Sequence, residues 1–164
     1  HGAGDVAESS LHTVLVALGA RYIEAEYVAC EASAAVEARR YFGVPDGEGR
    51  YDAVGLDDEG EVVVTLEAER VNGDVYSAVP DDYDKLAAPD PEAAIWVTVS
   101  GAAAHEVLHV LNQPAHGPAR VTKEYSENSP PSQWRIDEPG FTELQTASML
   151  VRDLDLTIAD RPRR

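Results

Sequence analysis

Glu67 and Glu69 are spaced so that their carboxylates share one face of a predicted strand. The segment 61–69, EVVVTLEAE, is rich in β-branched residues and long enough for a central strand. Because side chains alternate along a strand, the opposite face is fully apolar and consists of Val62, Val64, Leu66 and Ala68. Neighbouring carboxylates repel each other unless a cation lies among them, so this strand is a candidate metal site.

A predicted hairpin brings a third carboxylate, that of Asp52, to the same face. The segment 51–56 is a short predicted strand, and DDEG at 57–60 has the composition of a turn. A four-residue turn places Asp52 opposite Thr65 and diagonal to Glu67, about 7–8 Å away between Cα atoms. A three- or five-residue turn would send Asp52 to the other face. Hard oxygen ligands suit Mg²⁺ or Mn²⁺, and such an ion can polarise a phosphodiester and activate a water.

These carboxylates and the order of the predicted elements resemble the PD-(D/E)XK nucleases, which have the restriction-endonuclease-like fold. That family has a leading helix, an acidic residue on one strand, an acid–x–Lys motif on the next, and then a helix, a strand and a helix. Asp52 in RYDAVG matches the first acid and Glu67-Ala68-Glu69 matches the motif, with Glu69 where the family usually has Lys. The resemblance covers about residues 10–112. It implies that Asp52 and Glu67 hold Mg²⁺ or Mn²⁺ and that Glu69 binds metal or orients the attacking water.

The remaining pattern predicts a mixed α/β (α+β) fold, with one restriction-endonuclease-like sheet flanked by helices. We divide the chain into a lead-in at 1–9, a single domain at 10–155 and a basic-ended tail at 156–164. Further predicted elements are a helical region from Ser10 to Tyr41, helices at 75–88, 102–112 and 141–154, and strands at 93–100 and 119–125.

A second motif, HEVLH at 105–109, offers a different chemistry. His105 and His109 lie one helical turn apart with Glu106 between them, which matches the zinc-peptidase signature, with Glu106 as general base. A catalytic zinc needs a third protein ligand, and the sequence does not choose among Glu124, Glu127 and Glu143. A zinc peptidase is therefore an alternative to the nuclease-like reading, and a non-catalytic interaction module is another.

The charge balance bears on the partner. The chain has 30 acidic and 13 basic residues, a net charge of −17, and its only lysines are Lys85 and Lys123. An acidic surface repels nucleic acid in dilute salt, but this composition resembles proteins of extreme halophiles, where the Debye length in molar salt is about 3 Å. The sign of the charge therefore says little about the partner, and it is the family resemblance that implies nucleic acid. We expect a cytoplasmic halophile protein, with no membrane association because no window holds 18 consecutive apolar residues. The oligomeric state stays open, with a homodimer as one option.

Overall fold

The computed structural model describes residues 9–159, with side chains as far as Leu154. Five strands form one mixed sheet in the order β1-β2-β3-β4-β5, and four α-helices lie against it. The pairs β1–β2 and β2–β3 are antiparallel, whereas β3–β4 and β4–β5 are parallel. The predicted mixed α+β class, with one sheet flanked by helices, is therefore confirmed. Among the described residues no helix is long and apolar enough to cross a membrane.

The first helix is shorter than predicted, and the chain then turns into a strand. Helix α1 spans Ser10–Ile23, capped by Ser9, and a π-helix continues it over Glu24–Val28. The predicted helical region to Tyr41 is wrong in its last part, because Glu37–Gly43 forms β1. This segment, EARRYFG, lacks a helical apolar stripe and pairs with β2 as an edge strand.

Strands β2 (Arg50–Leu56) and β3 (Val62–Glu69) form the predicted antiparallel hairpin. The connection is longer than the predicted turn, because Leu56 pairs with Val62 and residues 57–61 form the loop. One added loop residue would by itself turn the side chains of one strand to the other face of the sheet.

A β-bulge at Val63 compensates for the longer loop. The extra residue on β3 shifts the register, so that beyond the bulge Val54 lies opposite Thr65. The predicted register placed Asp52 opposite Thr65, which is wrong by two positions. The observed register, continued along the hairpin, puts Asp52 across from Glu67.

The second half of the chain adds two strands and three helices. These are α2 (Val75–Ala87), β4 (Ala93–Thr98), α3 (Gly101–Asn112), β5 (Glu143–Thr146) and α4 (Ala147–Ala159). The predicted strand at 119–125 does not form, and the predicted helix at 141–154 begins as β5 instead. β5 is short and buried, and its pairing with β4 defines it as a strand.

Two apolar layers cover the sheet. On one face, α2 and α3 pack over Trp96, whose indole Nε1 donates to the carbonyl oxygen of Gly140 at 2.8 Å. On the other face, Leu15 and Ile23 of α1 and Leu150 of α4 are fully buried. Because β3, β4 and β5 are parallel, their carboxyl ends share one edge, and the antiparallel β2 begins at that same edge. We call it the carboxyl edge.

Candidate active site

The structure places all three carboxylates singled out in the sequence at the carboxyl edge. Asp52 lies near the start of β2, and Glu67 and Glu69 lie at the end of β3. Asp52 is 6% exposed and Glu69 is 8% exposed, and the side chain of Glu67 is 12% exposed. Acidic side chains are seldom buried unless they are paired, so the surroundings of these three decide what the edge can do.

Asp52 is held from two sides. Its Oδ2 accepts a hydrogen bond from the backbone N–H of Ala68 at 2.9 Å, and its Oδ1 lies 3.3 Å from Nε2 of His12 on α1. Residues three positions apart on a regular strand point to opposite faces of the sheet. Tyr51 and Val54 nevertheless both join the core under α2 and α3, so the alternation of side chains is interrupted at Asp52. The carboxylate is thereby fixed beside the backbone of β3.

Lys85, which the sequence analysis did not single out, faces this carboxylate group from α2. Its Nζ lies 2.8 Å from Oε2 of Glu67 and 2.9 Å from Oδ1 of Asp82. Two features of the sequence could have pointed to Lys85. It lies on a predicted helix one turn after Asp82, and it is one of only two lysines in the chain. The family resemblance predicts a cation at position 69 on the strand, whereas the fold supplies one from the next helix.

Two hydrogen bonds fix the last turn of α2 over the sheet and so position Lys85. The hydroxyl of Tyr51 donates to the carbonyl oxygen of Lys85 at 3.3 Å, and Oγ1 of Thr65 donates to the carbonyl oxygen of Leu86 at 3.1 Å. The donors come from β2 and β3, the strands that carry the acids. The lysine and its carboxylate partner are therefore held by one connected framework.

Burial and mutual repulsion shape the protonation of the site. Burial raises the pKa of Glu67 well above its usual value, with further increases from Asp52 and Asp82. Burial, with Asp82 and Asp52, raises the pKa of Glu69 to about 7. Burial alone would lower the pKa of Lys85, but Glu67 and Asp82 outweigh it and raise that pKa, so the ammonium persists. The site therefore combines carboxylates whose negative charge is disfavoured by burial with a lysine that keeps its positive charge.

We expect the metal-free protein to lose stability as the pH rises from about 4.5 to about 7, in part through Glu69. The unfolded carboxyl releases its proton near 4.5 and the folded one near 7, so between these values the folded state binds more protons. Raising the pH then favours unfolding, by up to about 3 kcal/mol at the upper end. Urea unfolding in molar KCl should show a flatter pH profile for Glu69→Gln. The exposed Glu59→Gln is the control, and a wild-type profile in Glu69→Gln would contradict this account.

The donors present suit a small hard cation better than zinc. Within the described residues, no group of three or more His, Cys, Asp or Glu side chains is arranged to hold a metal ion. Mg²⁺ is commonly bound through one or two carboxylates, with waters and substrate phosphates completing the shell. Oε2 of Glu67 is buried, and the Lys85 ammonium lies 2.8 Å from it. A two-carboxylate magnesium or manganese site at Asp52 and Glu67 therefore stays a prediction.

The HEVLH motif lies on α3, away from these acids. Nε2 of His105 donates to the carbonyl oxygen of Ser129 at 3.1 Å, and the ring packs edge-on against Trp134. A cavity of about 600 Å³ borders the motif, and it is lined in part by His105, Glu106, His109, Glu124 and Glu127. The third candidate, Glu143, accepts hydrogen bonds from Tyr22 and Tyr27 on the opposite side of the sheet. Glu143 is thus separated from the two histidines.

We expect zinc to give no specific stabilisation through His105 and His109. A metal that binds only the native state raises the melting temperature by mass action. Nε2 of His105, however, is already hydrogen-bonded to the carbonyl oxygen of Ser129. The measurement compares melting with Zn²⁺ and with Mg²⁺ at equal concentration in molar KCl, for the wild type and His109→Ala. Stoichiometric zinc retained through dialysis by the wild type and lost in His109→Ala would favour the zinc-peptidase alternative.

No protein-family model, no curated protein and no solved structure matches the chain. The function is therefore argued from the fold and the site.

Proposed function

We propose that the protein is a divalent-metal-dependent phosphodiesterase acting on nucleic acid, similar to the PD-(D/E)XK nucleases. The observation that carries the proposal is the convergence of Asp52, Glu67 and Lys85 at the carboxyl edge, from β2, β3 and α2 respectively. The order α1, β1, β2, β3, α2, β4, α3 contains the elements that the resemblance implies, with β1 added before the acid-bearing β2. An acid–x–acid strand with a lysine from the following helix supplies the positive charge of an acid–x–Lys strand, together with one additional carboxylate.

Asp52 and Glu67 would hold Mg²⁺ or Mn²⁺, which supplies Lewis-acid polarisation of the phosphodiester and an activated water. The positive charge of Lys85 favours the extra negative charge that develops on the phosphoryl oxygens in the transition state. Asp82 restrains the lysine through the 2.9 Å contact. Glu69, with a pKa of about 7, is suited to accept a proton from the attacking water near neutral pH.

The direct test is cleavage of DNA and of RNA in molar KCl, with Mg²⁺, Mn²⁺, Zn²⁺ or EDTA. We expect cleavage with Mg²⁺ or Mn²⁺ and none with EDTA. High salt matters because a chain of charge −17 is destabilised by self-repulsion when salt is low. Binding of nucleic acid without cleavage under any of these conditions would favour a degenerate version of the nuclease-like domain that only binds. The absence of both activities would favour the non-catalytic interaction module.

The zinc-peptidase alternative rests on the cavity beside His105, Glu106 and His109. Peptide hydrolysis that depends on Zn²⁺ and is lost in Glu106→Gln would favour it over the phosphodiesterase. The remaining parts of the proposal, a halophilic source and a cytoplasmic location, follow from composition. Folding that requires molar KCl would support the first of them.

A further inference from the structure

Tyr41 has an unusual backbone beside the candidate site. It lies on β1 between the pairs Arg40–Ala53 and Phe42–Tyr51, which places it across from Asp52. Cα atoms of facing residues on antiparallel strands lie about 5 Å apart. The φ angle of Tyr41 is 54°, in the left-handed region where a bulky residue is rare and carries a conformational cost. Backbone outliers of this kind cluster at functional sites and ligand clamps.

Two arginines flank Tyr41. The guanidinium carbon of Arg50 lies 4.6 Å from the centroid of the Tyr41 ring, a cation–π contact that orients the arginine. Arg50 begins β2, two residues before Asp52, which is about 7 Å along a strand. Arg40 is exposed on β1 next to Tyr41, and no ion pair of its side chain forms within the described residues. Arg39 differs, because it pairs with Glu37 at 2.7 Å.

The local charge of this strand differs in sign from that of the whole chain. Acids outnumber bases 30 to 13 overall, whereas β1 carries Arg39 and Arg40 against the single acid Glu37. It also forms the edge of the sheet, so a long polyanion can run along it without meeting another strand. Guanidinium groups bind phosphates in a fixed fork geometry, and a half-exposed aromatic ring offers a stacking surface.

We infer that β1, through Arg40, Tyr41 and Arg50, is the surface that receives the phosphate backbone of the nucleic acid next to the cleaved position. This inference rests on the proposed function and specifies how its substrate is held. The arginines provide positive charge on the strand that pairs with the start of β2, and Tyr41 holds Arg50 in place. The contact is with phosphates, so it confers affinity and position but no base specificity.

The test is the salt dependence of binding to a fluorescein-labelled DNA duplex of random sequence. Binding is followed by fluorescence anisotropy over a series of KCl concentrations, with Ca²⁺ replacing Mg²⁺ in every sample. Each phosphate contact contributes about −0.9 to the slope of log affinity against log salt. We therefore expect Arg40→Ala/Arg50→Ala to lower the steepness by about 2, and Arg40→Lys/Arg50→Lys to restore it because lysine keeps the charge.

The matched control is Arg21→Ala/Arg152→Ala, which removes the same charge from exposed positions on α1 and α4. We expect the control to keep the wild-type slope. The inference would be overturned if the Arg40→Ala/Arg50→Ala variant showed the same slope as the control. It would also be overturned if the wild type did not bind measurably at any salt concentration. Circular dichroism melting checks that each variant folds.

The outcomes separate this inference from the proposed function. If the salt slope of binding depends on Arg40 and Arg50 but no metal condition gives cleavage, the surface is retained and the phosphodiesterase is rejected. Cleavage by the wild type, with the same KM and the same slope in the Arg40→Ala/Arg50→Ala variant, would retain the phosphodiesterase and reject the surface.

Discussion

Glu67→Gln is expected to reduce nucleic acid cleavage by about a thousandfold or more in the folded protein. The amide keeps the shape of the carboxylate but removes the charge that would hold the divalent ion, whose contribution is several kcal/mol of transition-state stabilisation. Glu67 is also the partner of Lys85 at 2.8 Å. The substitution therefore removes both the charge that would hold the metal and one carboxylate partner of the lysine. The measurement is the single-turnover rate with Mg²⁺ in molar KCl.

The same substitution should not unfold the chain. Burial and the nearby Asp52 and Asp82 disfavour a negative charge on Glu67 and raise its pKa, and Lys85 keeps Asp82 as a carboxylate partner at 2.9 Å after the substitution. We expect Glu67→Gln to melt at or slightly above the wild-type temperature without metal and to lose any rise caused by Mg²⁺. Wild-type cleavage by a well-folded Glu67→Gln variant would rule out this site.

Lys85→Met is expected to lower kcat by about 10²–10³-fold, the usual loss when one preorganised group that stabilises developing charge is removed. KM should change less, because the charge acts mainly in the transition state. Lys85→Arg should retain part of the rate, since it keeps a cation on α2. The matched control is Lys123→Met, the other lysine of the chain, which is exposed and should cleave as the wild type does.

Folding needs a separate check in this series. Removing Lys85 leaves Glu67 and Asp82 without their shared cation, and breaking a buried pair commonly costs about 3–5 kcal/mol. The double variant Lys85→Met/Glu67→Gln removes both charges and should recover much of that stability without recovering cleavage. A folded Lys85→Met variant that cleaves at the rate of Lys123→Met would show that the lysine has no part in the chemistry.

Much of the fold was predictable because its signals are local. The β-branched run at 61–69 and the apolar run at 93–100 indicated the two central strands, which the structure places at 62–69 and 93–98. The helices at 75–87 and 101–112 lie within a residue of their predicted bounds. Ser100 caps α3 by accepting from the N–H of Ala103, as its place before the helix predicted. Periodicity and capping depend on neighbours in sequence, so the sequence suffices for them.

Strands β1 and β5 could not be recognised in the same way. β1 reads EARRYFG and is largely exposed, while β5 is four residues long and runs directly into α4. Neither carries a clear alternating pattern, and each is a strand because its neighbour, β2 or β4, offers an unpaired edge. The decision lies in hydrogen bonds between residues distant in sequence, which local propensity does not contain.

The sequence by itself determined that Glu67 and Glu69 share a strand and that Asp52 precedes them across a turn. It did not determine the register, because the loop at 57–61 and the bulge at Val63 are two irregularities whose effects on alternation cancel. Nor could it place Lys85 beside Glu67. That contact depends on the angle at which α2 crosses the sheet. Hydrogen bonds from β2 and β3 to the last turn of the helix fix that angle, and they form only when the tertiary structure is complete.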